Sequence, residues 1–473
     1  MKLYNTMTRK KEELSTLKPN QIKMYTCGQT VYNDIHMGNA RFYVVFDAIR
    51  RYLRWRGYDV NFVQNFTDID DKIIQKASEE GCTTEEIAER YIAHTLEDLA
   101  SLNCLPATVN PRATQEVPEI ITLISQLVEK GFAYENCGTV YYDVKKFANY
   151  GKLSKKKIED LEAGARVEIE TGKRDPMDFV LWKPAKPGEP QWESPWGGGR
   201  PGWHIECSAM AKKYLGDEID IHGGAEDLIF PHHENEIAQT EAVTGKEFAR
   251  CWLHCGILTT DHKKMSKSRG NFFTLREMAE KFPHDVIRFY LLSGHYRMPM
   301  EFNDEVLKAA AAGLQRIKTS YENLRHLAGI SDDKPMYDLE IKYSHKWGER
   351  SRQDFTDAMN DDFNTANAIT SIFNLVRDII REINIVKLEY DGNCSRAFYD
   401  TLMRLIKAPC DILGIKIGTE DDTISSEIEA LIAARQEARA AKNFAESDRI
   451  RDELLSMGII LEDTPSGARW RRA

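Results

Sequence analysis

Ile22-Lys23-Met24-Tyr25-Thr26-Cys27, a loop ending in His36-Met37-Gly38-Asn39, and then Phe42, Val45, Phe46, Ile49 and Leu53 form the stretch that decides the fold. The first run is short, apolar and closed by Gly28, so it reads as a buried strand. The second recurs at helical spacing and meets a terminator in Gly57. Residues 60–66 then read as another strand. Strand, loop, helix, strand is the opening of a parallel α/β nucleotide-binding sheet. Backbone N–H groups at a helix start, with the helix dipole, favour a phosphate, and Gly38 lets one approach the backbone. Taken alone, the tetramer is equally an ordinary loop with a solvated histidine.

A second polar segment, 259–271, carries Lys263, Lys264, Lys267 and Arg269 between apolar stretches, and within it stands Lys264-Met265-Ser266-Lys267-Ser268. A cationic loop with serine and glycine can close over a polyanion and neutralise charge on leaving phosphates. The two motifs, in this order, resemble the two signatures of class I aminoacyl-tRNA synthetases.

Composition sets the outer bounds. A chain of 473 residues is too long for one typical domain, and 42% hydrophobic with 29% charged residues is ordinary for a soluble protein. No apolar run is long enough to span a bilayer, and residues 1–23 lack the hydrophobic core of a secretion signal, so the cytoplasm is expected. Nine cysteines without regular spacing fit a reducing compartment. With a net charge of −10, a polyanionic partner must meet a local basic surface.

Pro231-His232-His233-Glu234-Asn235-Glu236 reads as the opening of a helix. His232 and Glu236, four apart, share one face and could share a metal; His233 and Glu236, three apart, would also meet. Spacing does not choose between the histidines, and any thiolates must come from far away in sequence. Cys251, His254 and Cys255 are a rival half-site, but Trp252, Leu253, Ile257 and Leu258 make that segment a buried strand in which cysteine packs as a small hydrophobe. Cys82, Cys104, Cys137, Cys394 and Cys410 lack partners at metal spacing.

The segments Tyr25-Thr26-Cys27-Gly28, Gly202-Trp203-His204-Ile205-Glu206-Cys207-Ser208 and Phe230–Glu236 resemble the cysteinyl-tRNA synthetase family, and the resemblance runs from about Leu3 to Arg472. It implies one zinc ion per chain, held by Cys27, Cys207, His232 and Glu236, which takes the substrate thiolate directly and so selects cysteine over serine without editing. It implies a cysteine pocket with Thr67, Trp203 and His222. For ATP, used with Mg2+, it implies contacts from His36, Met37, Gly38, Asn39, Gly224, Asp227, Lys264, Met265, Ser266, Lys267 and Ser268, with Asp227 on the ribose. His36, Asn39, Lys264 and Lys267 would stabilise the transition state of adenylate formation. Asn39 departs from the second histidine of the general class I signature; it can donate a hydrogen bond but carries no charge. The cysteinyl group would then pass to the terminal adenosine of tRNA(Cys).

Along the chain, the expected organisation is a Rossmann-like catalytic domain (1–116 and 201–245) with a connective insertion (117–200), a stem-contact region bearing the lysine signature (246–303), a helical bundle (304–415) and a small C-terminal anticodon-binding domain (424–473). A helix at 117–130 and a hairpin at 132–144, turning at 136–138, open the insertion. Helices are expected at 427–441 and 444–457, followed by a basic tail with Trp470 that can neutralise phosphates and stack on a base. The partners implied are tRNA(Cys), L-cysteine and ATP, with no membrane, and the chain is expected to be a monomer. Two alternatives compete: a cysteine ligase of mycothiol synthesis, which lacks the C-terminal domain, and a non-catalytic tRNA-binding paralogue. Lys72-Ile73-Ile74-Gln75-Lys76 also resembles a family motif linked to pyridoxal phosphate and persulfide formation, although two lysines four apart on a helix are ordinarily just exposed.

Overall fold

The computed structural model describes residues 1–156, 172–260, 263–264, 273–390 and 394–418, and 431–473 apart from 433, 436, 440, 442, 458, 465, 466 and 473; for 263–264 and 459–472 only the backbone is described. The chain divides into two compact units, one of residues 1–314, 349–374 and 408–415, the other of 315–348, 375–407 and 416–473.

At the centre of the first unit lies a four-stranded parallel sheet in the order Ala249–Cys255, Ile219–Ala225, Gln21–Thr26, Asp59–Gln64. The two strands expected from residues 22–66 are thus adjacent, and the helix between them spans Met37–Trp55. Ile22, Met24, Tyr25 and Thr26 are all buried, as expected of a strand covered on both faces. Phe42, Val45, Phe46, Ile49 and Leu53 form the buried stripe of the helix. Arg288 fastens helix His284–Leu292 to it: the guanidinium pairs with Asp47 at 2.5 Å and donates to the carbonyls of Leu102 (2.8 Å) and Leu413 (2.9 Å).

Between the second and third sheet strands in sequence lies the insertion. Helix Val117–Glu129 precedes a four-stranded antiparallel sheet ordered Ala133–Asn136, Thr139–Tyr142, Phe179–Pro184, Gly199–Pro201. Cys137 and Gly138 both have positive φ (51° and 79°), which gives the tight hairpin its twist. After the central sheet, Leu258–Thr260 pairs with Lys263–Lys264 and with Met300–Glu301.

The second unit is mainly helical. Helices Asp338–Asn360, Thr365–Glu389 and Arg396–Ile412 contribute to it, and the Glu340 carboxylate accepts from the backbone N–H (2.7 Å) and hydroxyl (2.8 Å) of Ser395. Helix Phe444–Ser456 is where the sequence places it; the one expected at 427–441 is described only from 431 onward. The basic tail is an ordered element: Ile459–Thr464 pairs antiparallel with Gly467–Arg472, placing Glu462 opposite Arg469. No helix among the described residues is long and apolar enough to cross a membrane.

Candidate active site and metal centre

Parallel strands end on one side of a sheet, and loops leaving that side gather there. Cys27 follows the Gln21–Thr26 strand directly, its N–H donating to Gly223 O (3.3 Å). The next residue presses against the neighbouring strand so closely that a Cβ on Gly28 would lie 1.7 Å from Asn65 O, so only glycine fits this turn. Cys207 sits on helix Trp203–Leu215. His232 lies in a π-helical turn, Ile229–His233, that runs into helix Glu234–Thr244, which carries Glu236. These four residues, from three separate parts of the chain, are at most 4% exposed, and their ligand atoms lie within 4.8 Å of one another.

Glu236 is the hub. Its Oε1 lies 3.1 Å from Cys27 Sγ and 3.0 Å from His232 Nε2, and its Oε2 lies 2.8 Å from His222 Nε2. His233 Nε2 is farther, at 4.0 Å, and its Nδ1 is engaged by His254 Nε2 at 2.8 Å. Cys27, His222, His233 and Glu236 also gather within 4.8 Å, but only the His232 set contains both sulfurs. No metal-holding group among the described residues includes Cys251 or Cys255, which lie buried on the Ala249–Cys255 strand.

The electrostatics follow from packing donors without water. Burial opposes ionisation of Glu236, but His222 and His232 hold it well below the usual carboxylate range. Burial likewise disfavours a charged His232, yet the negative charge of Glu236 and a hydrogen bond to Cys207 bring it up to about 10. Burial and the Cys207 sulfur push the Cys27 thiol up. At Cys207 burial is outweighed by hydrogen bonds from Cys27 and His232, which bring the thiol down to about 6. His233 Nε2 and His222 Nδ1 are buried with no hydrogen-bond partner. Two sulfurs, an imidazole and a carboxylate are a donor set that suits zinc, and the residues present fit such an ion.

A second layer orients these groups. His204 Nδ1 lies 2.9 Å from His232 Nδ1, leaving His232 Nε2 to face the cluster. Trp203, 41% exposed, stacks on His232 with ring centroids 4.4 Å apart, so it is a lid on the site and not a core aromatic. His222 is clamped against Trp252 at 4.4 Å. Glu234, fully buried, accepts from the backbone N–H groups of Gly151 (2.9 Å), Leu153 (3.1 Å) and Ser154 (2.8 Å), so the insertion is hydrogen-bonded to the metal helix. His204, Glu206 and Glu234 were not singled out in the sequence, and no local pattern marks them: each partner is distant in sequence or hidden in an ordinary helix. His254 stood out only as part of the Cys251–Cys255 half-site, and it engages His233 instead.

Beside the cluster a cavity is lined by Cys27, Tyr32, His36, Gly38, Asn39, Lys72, Trp203, Asp227 and residues 255–258. Of the expected site residues, His36, Gly38, Asn39, Trp203 and Asp227 line this cavity together with Cys27. Other expected positions lie elsewhere around the site. The helix-start N–H groups are already engaged: His36 Nδ1 accepts from Gly38 (3.0 Å) and Asn39 (3.3 Å), and Met37 N–H donates to Phe273 O (3.0 Å). The Met37 side chain is fully buried. Thr67 is buried just behind the lining, its N–H donating to Gln29 O (3.2 Å) and its hydroxyl to Glu206 (3.0 Å). Gly224 does not line the cavity either; its bare α-carbon makes room for His233, whose Cε1 would sit 2.3 Å from a Cβ. His222 forms the floor beneath Glu236. Met265, Ser266, Lys267 and Ser268 lie outside the described residues, and of Lys264 only the backbone is described. The chain after that segment returns to the cavity, with Leu275 N–H donating to Ile35 O at 2.9 Å. Lys72 and Lys76 do share a helix, Asp71–Glu80; Lys76 pairs with Glu80 at 2.8 Å and Lys72 lies over the Tyr32 ring.

Three family profiles match in sequence order: the class I (C) tRNA synthetase catalytic domain over residues 13–312, a DALR domain over 354–417, and a cysteinyl-tRNA ligase anticodon-binding domain over 421–471. Cysteine–tRNA ligase of Lachnospira eligens is 53% identical over the whole of both chains. The chain belongs to the cysteine–tRNA ligase family. The cysteine–tRNA ligase of Lachnoclostridium phytofermentans is 54% identical, again over the full length of both. The fold of this family member is that of class I synthetases: Mycobacterium tuberculosis methionyl-tRNA synthetase, in complex with methionyl-adenylate, superposes with a TM-score of 0.61 at 16% identity, covering 83% of this chain and 89% of that one.

Proposed function

We propose that this chain activates L-cysteine with ATP and transfers the cysteinyl group to the 3′-terminal adenosine of tRNA(Cys), with one zinc ion selecting the substrate, acting as a cytoplasmic monomer. The observation that carries the reading is the convergence of Cys27, Cys207, His232 and Glu236 beside a cavity that His36, Asn39 and Asp227 also line.

Cys27, Cys207, His232 and Glu236 would hold the zinc, with His204 fixing the His232 ring and Trp203 keeping water from it. Zinc, when bound, supplies a soft position that accepts a thiolate and discriminates against a hydroxyl. A cysteine with its thiol at the Cys27–Glu236 cluster would have its carboxylate in the cavity that His36 and Asn39 line. In activation, a bond forms between a carboxylate oxygen and the α-phosphorus, and the bond from that phosphorus to the pyrophosphate oxygen breaks. The protein needs no nucleophile of its own; its work is placing the reactants and stabilising charge. His36, Asn39, Lys264 and Lys267 take that role on the phosphates, where ATP arrives with Mg2+, and Asp227 takes the ribose. In the second step a ribose hydroxyl of the tRNA attacks the adenylate carbonyl, and AMP leaves.

The test is ATP-dependent transfer of labelled cysteine to total tRNA, with serine as control. Charging of one tRNA fraction with cysteine alone is the expected result. Activation of cysteine without transfer to any tRNA would redirect the reading to a small-molecule acceptor, and no activation at all would leave a tRNA-binding paralogue.

A further inference from the structure

Two residues beyond Asn39, Arg41 points into the protein and is fully buried. Its guanidinium donates to five main-chain carbonyls. Nη1 reaches Gly256 O (2.8 Å) and Ile257 O (2.9 Å); Nη2 reaches His295 O (3.2 Å), Tyr296 O (3.3 Å) and Met298 O (2.6 Å). Five carbonyl dipoles aimed at one point repel one another unless a cation sits among them, and a buried carbonyl left without a donor is costly. The planar, forked guanidinium can serve several acceptors at once, which an ammonium on a single stem does less well.

The two segments that Arg41 joins are themselves in close contact: a Cβ on Gly256 would lie 2.7 Å from Arg297 O. The first of them also bounds the cavity, since Cys255, Gly256, Ile257 and Leu258 line it together with His36 and Asn39. Directly beyond, Leu258–Thr260 pairs with Met300–Glu301 and with Lys263–Lys264, the approach to the lysine signature. One side chain from the helix that begins after His36 therefore fixes the opposite edge of the same cavity. Its five acceptors are separate from the metal cluster: among the described residues, none of them is hydrogen-bonded to Cys27, Cys207, His232 or Glu236.

We propose that Arg41 is a positioning residue for the nucleotide, holding the cavity edge at 255–258 in register with the turn at 36–39, so that ATP binding depends on it while thiol and metal binding do not. This rests on the proposed activation of cysteine by ATP.

The experiment compares wild type with Arg41→Lys and Arg41→Gln. Zinc content, KM for ATP and KM for cysteine in ATP–pyrophosphate exchange, and calorimetric binding of ATP alone are the readouts. Arg41→Lys should raise KM for ATP about tenfold, the equivalent of one net hydrogen bond to a charged group, with KM for cysteine within about twofold of wild type and zinc retained. Arg41→Gln should do worse, because it loses the charge. Arg288→Lys, which disturbs an equally buried arginine away from the cavity, should lower Tm without separating the two KM values. Unchanged ATP affinity in Arg41→Lys overturns the proposal, as does an equal rise in both KM values accompanied by loss of zinc. Wild type that binds ATP but exchanges nothing with cysteine would refute the activity reading alone; Arg41 then stands or falls on the calorimetric ATP affinity of its variants.

Discussion

Replacing Glu234 by glutamine should loosen a loop that lies more than eighty residues away in sequence. The carboxylate is fully buried and serves three N–H donors: one oxygen takes Gly151, the other takes Leu153 and Ser154. Glutamine is almost isosteric but offers one acceptor oxygen. Turned to keep Leu153 and Ser154, it points its NH2 at the Gly151 N–H, so that one charge-assisted bond is lost and two become neutral. A lost bond to a charged buried group costs about 1.5–3 kcal/mol and each weakened bond about 0.5 kcal/mol, giving about 3 kcal/mol in all. Hydrogen exchange is the appropriate assay, because a chain of this size need not unfold in two states and the penalty falls on local opening. Amides in the segment 151–154 should exchange about a hundredfold faster in Glu234→Gln, while the Met37–Trp55 helix is unaffected. Exchange within about threefold of wild type would mean that the loop is held by its own contacts, and the reasoning fails.

Cys27→Ser removes one of the four proposed ligands and should weaken zinc by more than about a hundredfold, since even loss of an outer partner costs tenfold or more. Metal analysis after dialysis checks it, and full zinc with undiminished rejection of serine would mean that the site is misassigned. Lys267→Ala should slow adenylate formation about 10²–10³-fold while zinc stays bound, read by rapid quench; an unchanged rate removes that lysine from the chemistry. Asp98 is raised to about 6 by burial, against the pull of Arg276, so the folded state holds its proton more tightly than the unfolded chain. Its stabilising contribution is complete below the ordinary carboxylate range and is lost as pH rises through about 6. Asp98→Asn should therefore gain about 1–2 kcal/mol on wild type between about pH 4 and pH 8, a figure discounted for partial solvent contact. Tm profiles that run parallel over that range would contradict it.

What could be read in the sequence was whatever is periodic or adjacent. The strand and helix between residues 21 and 55 follow from one apolar run and one helical stripe, and the hairpin at 133–142 from a turn that tolerates positive φ. The metal cluster is a different matter. His232 and Glu236 face each other because they are one helical turn apart, but nothing in spacing brings Cys27 or Cys207 to them; only the family resemblance did. Between the two histidines, the structure differs from what spacing could tell: His254 engages the His233 ring from a strand two elements later, and the group that includes both sulfurs contains His232. At the helix start, the open N–H groups expected for a phosphate are capped by the His36 side chain, an outcome that depends on a rotamer and not on residue type. The close fit at Gly224, where the missing side chain makes way for His233, is not visible in the sequence either. The basic tail was legible as charge but not as strands, because its pairing is between two short segments with few apolar residues.

The order of the central sheet bears on how the protein is made. The strand Gln21–Thr26 lies between Asp59–Gln64 and Ile219–Ala225, so one of its edges is completed early and the other only after the insertion has been synthesised. At the roughly 5–20 residues per second of translation, that edge stays unpaired on the ribosome for on the order of ten seconds. The half-built sheet is a parallel pair of buried, apolar strands with an open row of backbone donors and acceptors, the kind of edge that recruits other strands. Cys27 hangs at its end, unshielded until Cys207, His232 and Glu236 arrive. The nascent chain is thus most exposed to aggregation and thiol oxidation during synthesis of its own insertion, and chaperone demand should track the length of that segment.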